Sequence, residues 1–283
     1  MRLNHNLASL TIYREHVKVL ESQSRASERI SSGYKISGAK DDPNALASTE
    51  RMRIQIRGLQ MSMRNTQDGA SMMQTYDGAL SNVTDILQRT RELVVKAGGA
   101  NTPEDNKIIH DEIGSLIEGI SNIVNGTDFN GVKLLNGSMK DSLGDKINSV
   151  LMQVGANVGE SVGIPTFDLN TDAISKLEAL KTLNGSDIGK ELSIVDDALN
   201  AVTEARSKYG ALTNKFESTY DRVWQIHDTI VGAESKVRDA DVAEEMMNYT
   251  RDNVLIDAGH AMLVQSNKFP QDILRILENV KSR

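Results

Sequence analysis

The sequence predicts a mostly α-helical protein, an elongated antiparallel helical bundle or coiled coil with a small β-hairpin region. Aromatic residues are only 4% of the 283 residues and prolines number four, which favours long helices packed side by side. Apolar residues recur at alternating steps of three and four over long stretches, as in a heptad repeat. From about 132 to 167, apolar residues instead occur in short runs between Gly and Asn turns, as in strands.

The longest predicted helix begins at Pro43, because proline suits the first turn and the preceding Asp41 and Asp42 favour the helix dipole. Gly98 and Gly99 are expected to end it. The predicted seam of this helix consists of residues three or four apart: Met52, Ile56, Leu59, Met63, Thr66, Ala70, Met73, Asp77 and Leu80.

A second helix is predicted after this one, starting at the signal formed by Thr102, Pro103, Glu104 and Asp105. The short connection implies that the two helices are antiparallel neighbours.

A return helix is predicted to begin near Asp187. Its first apolar positions are Leu192, Val195, Leu199, Val202 and Tyr209, and its later ones are Leu212, Phe216, Val223, Ile230 and Val237. The apparent change of register near Gly210 predicts a stutter, an interruption of the heptad repeat that would turn the apolar seam towards a different side of the helix.

Each end of the chain also has an amphipathic helical pattern. The N-terminal apolar residues Leu3, Leu7, Leu10, Val17 and Leu20 lie near one face, and Val242, Met246, Ile256 and Leu263 repeat similar spacing at the C-terminus. Because an amphipathic helix alone has no partner for its apolar face, we expect the two ends to pair. Pro270 is expected to kink or locally break the C-terminal helix.

The composition argues against several classes of function. A net charge of −7 disfavours nucleic-acid and anionic-membrane partners, and there is no cysteine for disulfide or thiolate chemistry. The five histidines are scattered, so neither a metal nor a cofactor is expected. We find no phosphate-binding loop, dinucleotide fingerprint or nucleophile elbow, and therefore expect no enzyme. No apolar stretch has the length of a signal-peptide core or a membrane span.

Two long motifs resemble the terminal signatures of bacterial flagellins. The first is SSGYKISGAKDDPNALASTERMRIQIRGL, followed by NTQDGASMMQTYDGAL. The second, near the other end, is ESKVRDADVAEEMMNYTRDNVLIDAGHAMLVQSNKFPQDILRIL. Both lie in the order that flagellins have.

The resemblance implies three segments without outer domains. Residues 1-42 would be the D0 N-terminal helix and connector, residues 43-239 the D1 helical bundle with its β-region, and residues 240-283 the D0 C-terminal helix. It implies a structural subunit that self-assembles into the extracellular flagellar filament for motility. The implied partners are other copies in a helical homopolymer, a flagellar export chaperone, the export apparatus that would secrete the chain, and a filament cap.

The apolar residues of the D0 helices are the predicted polymerisation residues: Leu3, Leu7, Leu10, Val17, Leu20, Val242, Met246, Ile256 and Leu263. We expect the ends to be disordered in a free monomer and to fold on assembly, since ordering them costs about 1 to 2 kcal/mol per residue.

A smaller resemblance concerns Arg89, Leu93 and Glu112, which match residues that many flagellins present to the vertebrate Toll-like receptor for flagellin. Residues four apart share a helix face, and an antiparallel second helix would bring the glutamate beside them. The alternative is that these residues pack neighbouring filament subunits, with receptor recognition a secondary use of that surface.

Two other functions fit parts of the pattern. A hook–filament junction protein would share both terminal signatures, although the segments DGASMMQTYDGAL and RDADVAEEM favour flagellin. A non-exported coiled-coil adaptor would share the helical periodicity, but the paired signatures argue against it.

Overall fold

The computed structural model describes residues 6–99, 102–137, 149–170, 174–178, 180 and 187–281. Within these residues it contains helices and strands in the order α1 (Leu7–Ser32), α2 (Pro43–Ala97), α3 (Pro103–Gly126), β1 (Ser149–Gln153), β2 (Ser161–Pro165), α4 (Ser175–Glu178), α5 (Ile188–Arg238) and α6 (Val242–Lys281). The predicted class, mostly α with a small β-hairpin region, is confirmed.

The chain divides into two compact units. The first unit combines Met1–Ile54 with Thr229–Arg283, and the second is Gln55–Asp228. Both divisions fall inside long helices, α2 and α5, whereas the domain boundaries expected from sequence lie in the connectors around 42 and 239. We describe each unit separately below.

The helix ends follow the turn chemistry of the sequence. The Asp42 carboxylate accepts hydrogen bonds from the backbone N–H groups of Asn44 and Ala45, at 2.9 and 3.0 Å, where α2 begins. At the start of α3, Thr102 and Asp105 form a reciprocal capping box. The hydrogen bonds from the Thr102 hydroxyl and backbone lower the pKa of Asp105. Both predicted helix starts are confirmed.

Ion pairs in the second unit establish the directions of its helices. Arg91 of α2 contacts Asp196 of α5 at 2.9 Å, and Asp77 contacts Arg206 at 3.0 Å. Residue numbers fall along α2 as they rise along α5, so these helices are antiparallel. The predicted return helix is confirmed in direction and begins at Ile188, next to the expected Asp187.

The buried seam of α2 differs from the predicted one at every second position. The buried seam residues are Leu59, Ser62, Thr66, Gly69, Met73, Tyr76 and Leu80, and Met72 is buried beside them. Tyr76 is fully buried and its hydroxyl donates to the Val132 carbonyl, whereas Asp77 lies beside it and pairs with Arg206. The prediction that Asp77 lies in the seam is wrong, because the large ring of Tyr76 and the small residues near it fill the core better than a carboxylate would.

The predicted stutter in α5 is also wrong. The buried residues keep alternating steps of three and four across Gly210: Val195, Ala198, Val202, Ala205, Tyr209, Phe216, Thr219 and Val223, with Leu212 partly buried between Tyr209 and Phe216. The sequence pattern had assigned Leu199 to the seam, but Ala198 occupies that position. Small alanines allow adjacent helices to approach closely, so the seam includes residues that are not strongly apolar.

The two strands form an antiparallel hairpin that packs on the helices. Val150 pairs with Ile164 and Met152 with Val162. Asn65 of α2 donates to the Gln153 carbonyl at 3.0 Å. The predicted β-region is confirmed over its described part, and residues 138–148 of that region lie outside the described residues.

Tyr209 of α5 forms a hydrogen bond with strand β2 of the hairpin. Its hydroxyl donates to the Pro165 carbonyl at 3.2 Å, and its ring meets Phe167 edge-on at 5.3 Å. Burial raises the pKa of Tyr209, so the hydroxyl keeps its proton and remains a donor.

At Gly69, α2 lies close to both the hairpin and α5. An added Cβ would lie 2.7 Å from the Met152 sulfur and 3.0 Å from the Phe216 ring. We expect Gly69→Val to lower the free energy of unfolding of the second unit by about 1–3 kcal/mol, because the core is overpacked. Chemical denaturation of the full chain followed by circular dichroism measures this.

Gly78→Val in the same helix is the matched control, since nothing lies within 4 Å of the Gly78 Cβ position. We expect that variant to unfold within about 0.5 kcal/mol of the unsubstituted chain. Equal losses in the two variants would contradict a packing role for Gly69.

Candidate assembly surface

The terminal helices α1 and α6 form an antiparallel pair in the first unit. The Asn6 side chain donates to the Ser266 carbonyl at 2.9 Å, Gln23 donates to Asn253, and Arg29 pairs with Glu245 at 2.9 Å. Residue numbers rise along α1 as they fall along α6. The pairing of the two chain ends expected from sequence is therefore present.

A heptad seam joins the two helices. The α1 side consists of Ser9, Ile12, His16, Val19, Gln23, Ala26 and Ile30, and the α6 side of Glu245, Tyr249, Asp252, Ile256, Gly259, Leu263 and Ser266. Many of these residues are polar or small. The buried Nδ1 of His16 and Oδ2 of Asp252 have no hydrogen-bond partner within the described part of the chain. A seam with buried unpaired polar atoms stabilises an isolated pair poorly.

The predicted polymerisation residues divide between this seam and the outer surface. Ile256 and Leu263 lie in the seam, partly buried. The residues left exposed are Leu7 (72%), Leu10 (45%), Val17, Leu20, Val242 and Met246. Leu3 lies outside the described residues. The N-terminal face that was expected to pair with the other end instead points away from it.

The exposed apolar surface is larger than the sequence analysis indicated. Further exposed members are Tyr13 on α1 and Met247, Val254, Leu255, Met262, Val264 and Phe269 on α6. They could have been found by noting that apolar residues occupy more than one face of each helix, which is unusual for a helix that needs a single partner. The pair therefore has one internal seam and a second apolar surface that no described residue of the chain covers.

The helix α6 continues through Pro270 to Lys281. The local break expected at this proline therefore does not occur, and the exposed apolar positions near it belong to one helix.

The connectors next to these helices are held together by a short antiparallel contact. The Lys35 N–H donates to the Arg238 carbonyl at 2.7 Å, and the Ala240 N–H donates to the Gly33 carbonyl at 3.0 Å. Gly33 ends α1 with a φ of 75°, a conformation that glycine adopts without strain. The Arg238 guanidinium stacks over the Tyr34 ring at 4.3 Å. These contacts link the end of α1 to the start of α6.

The three residues matched to receptor contacts differ in how exposed they are in the structure. Arg89 and Glu112 form a half-exposed ion pair at 3.1 Å, as the antiparallel arrangement predicted. Their hydrogen bond raises the pKa of Arg89. Leu93 is only 2% exposed and belongs to the core. The three side chains therefore do not form one exposed surface.

Two other kinds of site are absent from the described residues. No group of three or more His, Cys, Asp or Glu side chains there could hold a metal ion. No described helix is both long and apolar enough to cross a membrane.

Solved structures place this architecture in a class. The flagellar hook-associated protein 3 of Legionella pneumophila superposes with a TM-score of 0.57 over 66% of this chain and 98% of its own, at 13% identity, which shows the fold alone. The flagellin of Bacillus cereus superposes with a TM-score of 0.50 over 56% of this chain and 88% of its own, at 25% identity. The fold is therefore that of helical proteins of the bacterial flagellum.

Sequence comparisons define the family within that class. The model of the bacterial flagellin N-terminal helical region matches residues 3–140, and that of the C-terminal helical region matches residues 192–277. The flagellin of Bacillus subtilis is 38% identical over 98% of this chain and all of its own length, and that of Halalkalibacterium halodurans is 39% identical with the same coverage. The chain belongs to the flagellin family.

The stacked Arg238 provides a test of the connector contact. We expect Arg238→Ala to lower the melting stability of the α1–α6 unit by about 1 kcal/mol, because the guanidinium loses its contact with the Tyr34 ring. Melting of filaments assembled from the full chain, followed by circular dichroism at 222 nm, measures this, because the terminal helices are expected to be ordered there.

Lys236→Ala, at an exposed position of the same helix, is the control and should melt like the unsubstituted chain. A loss of the same size in that variant would show that the connector contact contributes nothing specific.

Proposed function

We propose that this chain polymerises through the apolar surface that its paired terminal helices leave exposed. As a flagellin it is a structural subunit of the bacterial flagellar filament, which serves motility. The observation that carries the proposal is the exposure of Leu7, Leu10, Val17, Leu20, Val242 and Met246 on helices that already share a separate seam. A large exposed apolar surface of this kind marks an interaction site.

The energetics favour other copies of the chain as the partner. Fully burying one such side chain contributes about 1.5–3 kcal/mol, so six of them contribute about 9–18 kcal/mol towards the cost of ordering the chain ends. The polar seam contributes little by itself. The terminal helices would therefore be ordered mainly when neighbouring subunits cover them.

Self-assembly into a filament requires a contact between two different surfaces. A heterologous contact that does not close on itself builds an open helical polymer, whereas an isologous one stops at a dimer. The α1–α6 pair suits this requirement, because its exposed positions lie on both helices and differ in residue type on each. No reaction is proposed for this family of structural proteins.

We also propose that the chain leaves the cell before assembly, through the flagellar export apparatus. A flagellar export chaperone would cover the apolar face of α6 until export, because that face would otherwise aggregate. A filament cap would then promote addition at the tip. The exposed Met246, Met247 and Val254 supply an apolar surface that such a chaperone could bind.

A hook–filament junction protein is the alternative to a filament subunit. Identity of 38–39% to flagellins over 98% of the chain favours the filament subunit, whereas the hook-associated structure shares the fold at 13% identity.

The decisive experiment is electron microscopy of purified chain added to short filament seeds, repeated with residues 1–40 or 241–283 removed. We expect long filaments from the full chain and none from either truncation. Soluble oligomers of fixed size, unaffected by truncation, would contradict a filament subunit and favour the junction protein or the adaptor.

A point test separates the outer face from the seam. We expect the double variant Leu10→Gln with Val17→Gln to slow seeded growth by about tenfold or more, because both side chains lose apolar burial against neighbouring subunits while the α1–α6 seam stays intact. Light scattering during seeded growth measures the rate.

The matched control is Ile108→Gln, which removes an exposed apolar side chain from α3, outside the terminal helices. We expect its growth rate to stay within about twofold of the unsubstituted chain. If both variants grow equally slowly, the terminal face has no special role.

A further inference from the structure

The second unit has an acidic face with an exposed aromatic ring on α5. Four exposed residues, spaced four, three and four positions apart, share this face: Glu217, Asp221, Trp224 and Asp228. Trp224 is the only tryptophan of the chain and is 54% exposed. Tryptophan is among the residues that contribute most to binding at protein interfaces. This face of α5 is therefore a candidate interaction surface.

A groove between α2 and α5 runs beside this face. It has a volume of about 280 Å³, and its lining includes Thr66 and Ala70 of α2 and Glu217, Tyr220 and Asp221 of α5. A guanidinium that enters such a groove can contact a tyrosine ring and bind a carboxylate at the same time. The groove therefore suits a basic side chain.

The carboxylates of the α5 face are unpaired within the described residues. Glu217, Asp221 and Asp228 form no ion pair or hydrogen bond through their side chains in that part of the chain. Because like charges on one face repel each other, a partner that supplies positive charge is favoured there.

A stripe of opposite charge lies on α2. Arg57, Met61 and Arg64 are exposed and are spaced four and three positions apart, so they share one side of the helix. Met61 is 53% exposed, and neither arginine side chain forms an ion pair or hydrogen bond within the described ranges. At about 100° per residue, the stripe points about a third of a turn or more away from the groove residues Thr66 and Ala70. One chain therefore cannot place its own stripe in its own groove.

We propose that the α2 stripe of one copy binds the acidic face of α5 on the next copy. Both patterns have a large apolar side chain between two charged residues seven positions apart, a distance of about 10 Å along a helix. Since α2 and α5 are antiparallel, copies that point the same way bring α2 of one copy antiparallel to α5 of the next. That orientation aligns Arg64 with Asp221. It also aligns Arg57 with Asp228.

Met61 and Trp224 form the apolar centre of this contact. The same spacings of three and four positions separate each of them from its flanking charges, so the antiparallel alignment places one against the other. A thioether packs favourably against an aromatic ring, and an apolar centre with a charged rim is the usual arrangement at an interface. Because the two surfaces differ, the contact is heterologous and can repeat from copy to copy.

This contact lies in the second unit, whereas the polymerisation surface proposed above lies on α1 and α6. It rests on the proposed function in one respect, namely that copies assemble with a common orientation. Filaments that grow equally well whatever the charges at these positions would refute this contact and leave the role of the terminal helices intact.

The test is seeded growth of the purified full chain, followed by light scattering, with the charge reversed on either side of the contact. Asp221→Arg and Arg64→Glu should each slow growth by about tenfold, because each places like charges opposite one another. The variant with both changes restores opposite charges between neighbouring copies. We expect its growth rate to recover to within about threefold of the unsubstituted chain.

Fluorescence of Trp224 supplies a second measurement that needs no substitution. We expect its emission to shift to shorter wavelength as the unsubstituted chain joins filaments, because Met61 of the next copy covers the ring. The variant with both charge changes should show the same shift. An emission that stays the same on assembly would contradict the proposed contact.

Asp197→Arg is the matched control, since it reverses another exposed, unpaired carboxylate of α5 within the described residues. That variant should grow like the unsubstituted chain, and circular dichroism at 222 nm should show unchanged melting in every variant. Losses that add in the double variant without recovery would overturn the proposal, as would single variants that grow at the unsubstituted rate. If the unsubstituted chain itself fails to grow on seeds, this contact falls together with the proposed function.

Discussion

The first unit depends on how its two terminal helices divide their apolar residues. Each helix uses one narrow face for the seam within the chain and leaves a second apolar face exposed. The seam is partly polar, with His16 and Asp252 contributing buried atoms that lack partners within the described residues. A helix pair built this way is specific in register but weak in isolation, and its remaining apolar surface is available to another molecule.

The second unit differs from the first, because it buries its apolar seam within itself. Its seam is filled by large buried side chains such as Tyr76, Leu80 and Phe216, and small residues such as Gly69 let the hairpin and α5 approach α2. Its buried tyrosine hydroxyls donate to the Val132 and Pro165 carbonyls. One chain therefore contains a self-sufficient core and a pair of ends whose apolar surface exceeds what the pair can bury.

The parts of the fold that follow local chemistry could be predicted from the sequence. The helix starts at Pro43 and Pro103, and the stop after Ala97, depend on proline, capping residues and glycine within a few positions of each end. The buried seam residues were harder to predict from the sequence. The choice between Asp77 and Tyr76, or between Leu199 and Ala198, depends on which side chain fits against the neighbouring helix. Leu93 was expected at the surface because its spacing of four residues from Arg89 places both residues on one face of the helix. That spacing does not indicate how deeply each residue is buried, and Leu93 belongs to the core.

The sequence by itself determined the helical class, the β-region, the element ends and the family, since these depend on periodicity, turn residues and long motifs. It also determined which apolar residues the terminal helices contain. Only the tertiary structure decided which of them face the partner helix, that Leu10 and Val17 point outward, and that His16 meets His260. The physical reason is that these outcomes depend on the rotation and register of α1 against α6. Contacts between residues distant in sequence select that rotation and register, and no local sequence pattern encodes them.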